Sequence, residues 1–327
     1  MIDLEELMAR AVAEGEKARF HAPPNPWVGA LVVDARGVVH GVGHTQVPGD
    51  AHAEVVALRH AGEASRGATL VVTLEPCSHT GRTGPCTEAI IEAGITSVVV
   101  GTLDPDSRVA GSGVRALRDA GIDVKVGVAE STVREQLAAY LWHRETGRPY
   151  VVVKVAATLD GVVAMADGSS QWITGDAARR DAHVLRARSQ AVIVGAGTVR
   201  RDDPRLTARL DGVVLEPLRV VLGQAPRDAK VRPCWERSGD IATVLDELGA
   251  HGVLQALVEG GPTTASAFIA AGAVNRIVWY VAPALAGSSG TVGALVDVAT
   301  ATIGDLRRAR LVDVRVVGED VRIELEV

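Results

Sequence analysis

His52, Cys77 and Cys86 are side chains of the types that hold zinc, and a carboxylate, Glu54, stands two residues after the first of them. An imidazole and two soft thiolates fill three corners of a tetrahedron and leave the fourth open for water, the ligand set of a catalytic zinc. Glu54 lies close to such a metal without being needed as a ligand. A carboxylate there can take a proton from attacking water and hand it on. The rival reading is a zinc that only staples a loop. It takes four protein ligands, and beyond His79 no fourth Cys or His stands nearby. The remaining cysteine, Cys234, stands alone and reads as an inert thiol.

The elements that must position these groups follow from periodicity. A helix opening near His52 should run to Ala61 and stop at Gly62, and a second should open at Cys86 and run to Ala93. Two helix N-termini aimed at one point lower thiolate pKa, and Pro76 and Pro85 suit a helix start or tight turn. Strands are expected at 27–33, 38–42, 68–74, 97–101 and 122–126, alternating with helices at 3–18 and 113–120, which implies a sheet with helices on its faces. Residues 131–143 read as one further helix and the polar stretch 144–149 as a linker, dividing the chain into domains 1–146 and 147–327.

The second half keeps the α/β character, with strands at 150–155, 191–194, 218–222, 254–258 and 276–281 and helices at 176–187 and 263–271. Residues 223–250 resist assignment, and 311–327 reads as paired strands without a site. Two glycine turns follow apolar strands, Gly195-Ala196-Gly197-Thr198 and Glu259-Gly260-Gly261-Pro262. Glycine there lets backbone approach a ligand, and a helix N-terminus favours a diphosphate. The dinucleotide fingerprint is incomplete, since Gly195 and Gly197 are followed by Thr198-Val199-Arg200 and no third glycine.

Bulk properties narrow the classes. A chain of 327 residues favours two domains. A net charge of −6 and 3% aromatic residues speak against nucleic-acid or anionic-membrane partners. Three cysteines make no disulfide framework, no apolar run is membrane-length, and the acidic N-terminus is unlike a signal peptide, so a cytoplasmic enzyme is expected.

His52-Ala53-Glu54 followed by Pro76-Cys77 matches the opening of the zinc-deaminase signature, but eight residues rather than two precede Cys86. With that spacer, the stretch from Leu74 through Cys86 resembles the deaminase half of the bifunctional riboflavin-biosynthesis deaminase/reductase family. So do Pro24-Asn25-Pro26-Trp27-Val28-Gly29, Asp104-Pro105 and Val109-Ala110-Gly111. The resemblance implies a cytidine-deaminase-like layered domain acting on a diaminopyrimidinone that carries a phosphoribosylamino group. It makes Asn25 a pyrimidine-edge contact, and His44, His79 and Arg82 substrate or phosphate contacts. Gly84 stands where the family usually has proline and Asp106 where it usually has asparagine.

Further matches are Lys154 through Gly161, Ser170 through Gly175, Leu185-Arg186-Ala187, Gly197-Thr198-Val199, Asp202-Asp203-Pro204, Leu206 through Arg209, and Glu259-Gly260-Gly261. They resemble the reductase half of the same family and imply a dihydrofolate-reductase-like fold with NADPH across its strand ends. By that resemblance Ala156, Trp172, Thr198, Asp202 and Gly261 face the cofactor. Ser170, Arg186, Leu206, Arg209 and Glu259 face the substrate, and Lys154 stands as a polarising group. Gly223 replaces the usual aspartate, and 223–250 is shorter than the family pattern. The reading is zinc-dependent deamination followed by NADPH-dependent reduction of a ribosyl chain on a phosphorylated pyrimidine, with room for a homo-oligomer. Its rivals are a deaminase whose second half no longer reduces and a module that edits bases in nucleic acid.

Overall fold

The computed structural model describes residues 3–79, 84–106, 109–210, 212–287, 289–296 and 300–327. The chain separates into two compact units, Met1–Gly147 and Arg148–Val327. Among the described residues no helix is long and apolar enough to cross a membrane.

The first unit runs α1 (Leu4–Glu16), β1 (Gly29–Val33), β2 (Val39–His44), α2 (Ala53–Ala61), β3 (Thr69–Leu74), α3 (Cys86–Glu92), β4 (Ser97–Thr102), α4 (Ser112–Asp119), β5 (Asp123–Val126), α5 (Glu130–Gln136) and α6 (Ala138–Thr146). Its sheet has the order β2-β1-β3-β4-β5, antiparallel on the β1 side and parallel from β3 to β5. β1, β3 and β4 are buried almost throughout and are rich in Val and Leu, as strands covered on both faces must be. The edge strand β2 instead alternates exposed and buried positions.

One helix expected over 131–143 is two, broken at Leu137. The Gln136 carbonyl accepts from Trp27 Nε1 at 2.9 Å and Arg19 Nη1 at 3.0 Å, which draws it off the helix axis toward buried Trp27. The expected linker is also shorter. Arg144, Glu145 and Thr146 belong to α6, and Gly147, with φ of 76°, caps it in the left-handed conformation that glycine adopts without a Cβ clash.

The second unit runs β6 (Tyr150–Thr158), β7 (Val162–Ala164), α7 (Asp176–Ala187), β8 (Ala191–Gly195), α8 (Ala196–Asp202), β9 (Ala208–Leu210), β10 (Val213–Leu215), β11 (Leu218–Leu222), β12 (Trp235–Arg237), α9 (Ile241–Ala250), β13 (Gln255–Val258), α10 (Pro262–Ala270), β14 (Arg276–Ala282), β15 (Val292–Gly293), β16 (Arg310–Val317) and β17 (Asp320–Glu326). The main sheet is ordered β12-β11-β8-β13-β6-β14-β17-β16, parallel as far as β14 and antiparallel beyond it. Residues 223–250 hold β12 and α9, the latter packing Val244, Leu245 and Leu248 into the core. Gly223 ends β11 with φ of 104°, a conformation an aspartate would adopt only under strain.

From β8 the chain leaves through α8 toward β11, whereas from β13 it leaves through α10 toward β14 on the other side. The carboxyl ends of β8 and β13 therefore form a topological switch point, where open α/β sheets place their ligands.

Candidate functional site

His52 sits at the N-cap of α2 and Cys86 at the first residue of α3, while Cys77 lies in the loop after β3. Their ligand atoms lie within 4.8 Å of one another. His52 Nδ1 is 3.2 Å from Cys86 Sγ and 3.6 Å from Cys77 Sγ. The edges of a tetrahedron built on ordinary zinc–nitrogen and zinc–sulfur bonds are about 3.6–3.8 Å, so the three groups fit zinc with little adjustment. The Cys77 thiol is drawn down to about 4 by its hydrogen bond with Cys86, and His52 adds to this against the effect of burial. Sharing that bond, together with burial, pushes Cys86 up. The pair thus retains a proton of the kind that a bound cation displaces.

Glu54, in the first turn of α2, is 4% exposed. Burial holds its carboxyl above the usual range, opposed by His52 and reinforced by Cys77. A carboxyl raised toward neutrality can both accept and return a proton.

A cavity of about 430 Å³ opens on these groups. Of the residues expected from sequence, Asn25, His52, Glu54, Cys77 and His79 line it, and Nδ1 of His79 is buried without a hydrogen-bond partner among the described residues. His44 is not among the lining residues; its Nδ1 lies 2.8 Å from Glu14 Oε1, and the other oxygen of that carboxylate pairs with Lys17. Arg82 lies outside the described residues. Sequence reasoning missed Asp50, Glu75, Asp104, Asp106, Tyr140 and Arg144, all in the lining. Asp104 and Asp106 belonged to a noted motif, but Tyr140 had no signal beyond helical spacing and Arg144 fell in the expected linker.

Glu75 ties the site together. Its buried carboxylate accepts from the backbone nitrogens of Asp104, Gly111, Gly113 and Val114 at 3.3, 2.9, 2.9 and 3.1 Å. The Cys77 loop is thereby joined to the loop and helix start that carry Asp104. Gly113 permits the approach, since a Cβ there would sit 1.9 Å from the Pro76 carbonyl oxygen. Gly113→Ala is expected to cost about 1–3 kcal/mol, as overpacking does, and to displace Cys77. A lower melting temperature together with zinc lost on dialysis is the expected result; unchanged values for both would show that the loop yields freely.

In the second unit Thr198 follows β8, and Glu259 and Gly261 follow β13, at the switch point. Arg186 of α7 forks onto Glu259 at the end of β13, Nε to Oε1 at 2.5 Å and Nη2 to Oε2 at 2.8 Å, while its Nη1 donates to the Thr207 carbonyl at 3.1 Å. Burial lowers the Lys154 pKa, with Glu259 opposing and Arg186 adding to the effect. Gly261 N donates to Thr198 Oγ1 at 3.0 Å, and Ser170 Oγ donates to Asp202 Oδ1 at 3.4 Å. Ala156 lies on β6 two residues beyond Lys154 and so on the same face. Buried Leu206 has φ of 55°, rare for a branched residue and characteristic of constrained sites. Trp172 is 69% exposed, with the Arg179 guanidinium 4.7 Å from its ring centre.

Arg209 Nη2 donates to His183 Nε2 at 3.1 Å, and His183 Nδ1 faces the Thr207 carbonyl at 3.2 Å. The Arg209 backbone N–H also points at His183 Nδ1, at 3.3 Å, so Arg209 meets the imidazole from both its main chain and its side chain. Two of the glycines read as room for a ligand serve packing. A Cβ at Gly195 would lie 2.5 Å from Thr264 Oγ1, and one at Gly260 would lie 2.4 Å from Thr264 Cβ.

Comparison with known proteins follows the same division. A family model described as the cytidine and deoxycytidylate deaminase zinc-binding region matches residues 1–102, and one described as the RibD C-terminal domain matches 149–323. The riboflavin biosynthesis protein RibD of Mycobacterium tuberculosis is 44% identical over 333 residues, covering 98% of this chain and 97% of that protein. The structure of Acinetobacter baumannii RibD (form 1) superposes with a TM-score of 0.92 at 36% identity, covering 99% of this chain and 98% of that one. A Thermotoga maritima structure gives a TM-score of 0.88 at 32% identity, covering 99% of this chain and 98% of that one. That protein is described as a diaminohydroxyphosphoribosylaminopyrimidine deaminase and 5-amino-6-(5-phosphoribosylamino)uracil reductase.

Proposed function

The chain belongs to the RibD family of bifunctional riboflavin-biosynthesis deaminase/reductases, and from that premise we propose which reaction each unit performs and with which residues. It is an enzyme of two activities, a deaminase with a zinc-binding region and a reductase. We assign the deaminase to residues 1–146 and the reductase to 147–327. The first acts on a diaminopyrimidinone bearing a phosphoribosylamino group, and the second uses NADPH to reduce the ribosyl chain of the product to ribityl, in the cytoplasm. The observation that carries this reading is one cavity in which a His/Cys/Cys cluster and the buried carboxyl of Glu54 meet.

His52, Cys77 and Cys86 would hold zinc, which supplies a Lewis acid able to make water nucleophilic at neutral pH. Glu54 would take one proton of the attacking water to the ring nitrogen and then carry the water's second proton to the amino group, which leaves as ammonia. Asn25 presents both a donor and an acceptor to the pyrimidine edge.

In the second unit NADPH would supply the hydride, and the chain's task is orientation. Thr198 and Gly261 shape the turn toward the cofactor, with Ala156, Trp172 and Asp202 completing its surroundings. Glu259, Arg186, Lys154 and Ser170 form a polar wall for the sugar, and Leu206 and Arg209 bound the phosphate end. Zinc-loaded full-length protein should convert the diaminopyrimidinone to the ribityl product with NADPH and turn over more slowly with NADH. Deaminated product accumulating unreduced with either nucleotide would favour a deaminase with an inactive second half.

Arg209 gives a sharper test. A hydrogen bond to a charged group is worth roughly 1.5–3 kcal/mol, so Arg209→Ala is expected to raise the KM for the phosphorylated intermediate about ten- to hundredfold. A dephosphorylated analogue should be little affected, and deamination unchanged. Equal losses on both substrates would assign Arg209 to the fold instead.

A further inference from the structure

We propose that His183 is a positioning residue for reduction. Its neutral imidazole aims the Arg209 guanidinium at the anionic end of the substrate without cancelling its charge. This rests on the reading above that Arg209 bounds the phosphate.

His183 and Arg186 stand three residues apart on one face of α7, and both reach the segment that carries Arg209. They meet on one atom, the Thr207 carbonyl oxygen, which lies 3.2 Å from His183 Nδ1 and accepts from Arg186 Nη1 at 3.1 Å. The entry to β9 is thereby fixed to α7. His183 reaches further along the strand. The Arg209 backbone N–H points at its Nδ1 from 3.3 Å, and Arg209 Nη2 lies 3.1 Å from its Nε2. One ring thus touches both ends of an exposed arginine, a side chain with many rotamers to lose.

The two arginines are held in opposite ways. Arg186 is answered by the buried Glu259 carboxylate through two hydrogen bonds, so its charge is balanced within the protein. The guanidinium of Arg209 bonds instead to an imidazole. A guanidinium nitrogen only donates, so this bond needs a lone pair on Nε2, which an imidazolium lacks. Burial, then the charges of Arg186 on the same helix and Arg209 on β9, draw the His183 pKa below the ordinary histidine value, against the Thr207 carbonyl and Glu259. The ring that holds Arg209 is therefore neutral. A neutral acceptor fixes direction and leaves the positive charge for an anion, whereas a carboxylate in its place would compete with the phosphate. Ordering a side chain before binding lowers what binding itself must supply.

The test uses full-length protein with NADPH and measures kcat and KM for reduction of the deaminated phosphorylated intermediate and of its dephosphorylated analogue. His183→Asn keeps a donor near the place of Nδ1 and offers no substitute for Nε2, whereas His183→Gln can set its amide oxygen near the place of Nε2. His183→Asn should raise KM for the phosphorylated intermediate about three- to tenfold. Its kcat, KM for NADPH and melting temperature should stay close to wild type, and KM for the analogue should not change. His183→Gln should recover most of the KM. In an Arg209→Ala background His183→Asn should add nothing further, because the two residues act as one unit. An unchanged KM in His183→Asn, equal losses on the two substrates, no recovery in His183→Gln, or additive losses in the double variant would overturn the proposal. Should His183→Asn not fold, His183→Leu, which fills the ring's space without an acceptor, is read by the same criteria. An unchanged KM for the phosphorylated intermediate in Arg209→Ala would instead sink the parent reading of Arg209.

Discussion

Replacing Glu54 by glutamine is expected to abolish most deamination while leaving the metal in place. The carboxyl lies in the first turn of the helix whose N-cap is His52, and it is almost fully buried in the wall of the zinc-side cavity. A glutamine fills the same space and still offers an oxygen, so His52, Cys77 and Cys86 keep their positions. What it cannot do is take a proton from water and return it. Positioned proton transfer is worth about a hundred- to ten-thousandfold in rate, and deamination should fall by a factor in that range. Zinc should remain near one per chain, and reduction of pre-deaminated substrate should match wild type. Cys77→Ala is the contrasting variant, expected to lose zinc and activity together. Near-normal deamination by Glu54→Gln would falsify the proton-shuttle role, and zinc loss would show that Glu54 supports the metal instead.

Glu259→Gln should produce the largest loss in the second unit. The Glu259 side chain is 6% exposed and answers Arg186 with two hydrogen bonds, with Lys154 as a second cation nearby. Burial alone would raise the Glu259 pKa; the charge and hydrogen bonds of Arg186, helped by Lys154, outweigh it and hold the group below its ordinary value. Neutralising it leaves two cations buried without their anion, a change that costs about 3–5 kcal/mol when one member of such a pair is removed. The unit should melt several degrees lower and lose reduction. Glu259→Gln with Lys154→Met should recover part of the stability, because one uncompensated charge is gone.

The pH dependence has a definite sign. A carboxyl whose folded pKa is depressed stabilises the fold at pH above its unfolded value, about 4.3 for glutamate. That contribution fades as pH falls through the lower folded value, and Glu259→Gln should lack this acid-side loss. A variant as stable as wild type at neutral pH would mean the pair offsets its own desolvation and contributes nothing net.

What the sequence by itself determined was the chemistry that travels with local spacing. His52 and Glu54 share one turn of α2, and Cys77 and Cys86 flank one loop, so residue type and separation already pointed to zinc and a proton carrier. Strand positions were legible for a similar reason, since strands buried on both faces must be nearly continuous runs of Val and Leu. Only the tertiary structure decided what comes from distant segments. Glu75, Asp104, Tyr140 and Arg144 are separated along the chain and share one cavity wall because β3 and β4 pair in parallel and α6 brings Tyr140 to Asp104. No local pattern marks such a meeting. The break at Leu137 follows from a carbonyl bonded to Trp27 and Arg19, more than a hundred residues away. Gly195 and Gly260 looked like room for a ligand, and in the fold the space a Cβ would take at each is filled by Thr264. Glycine in a sequence signals close approach; which atom approaches is set by how the strands are ordered.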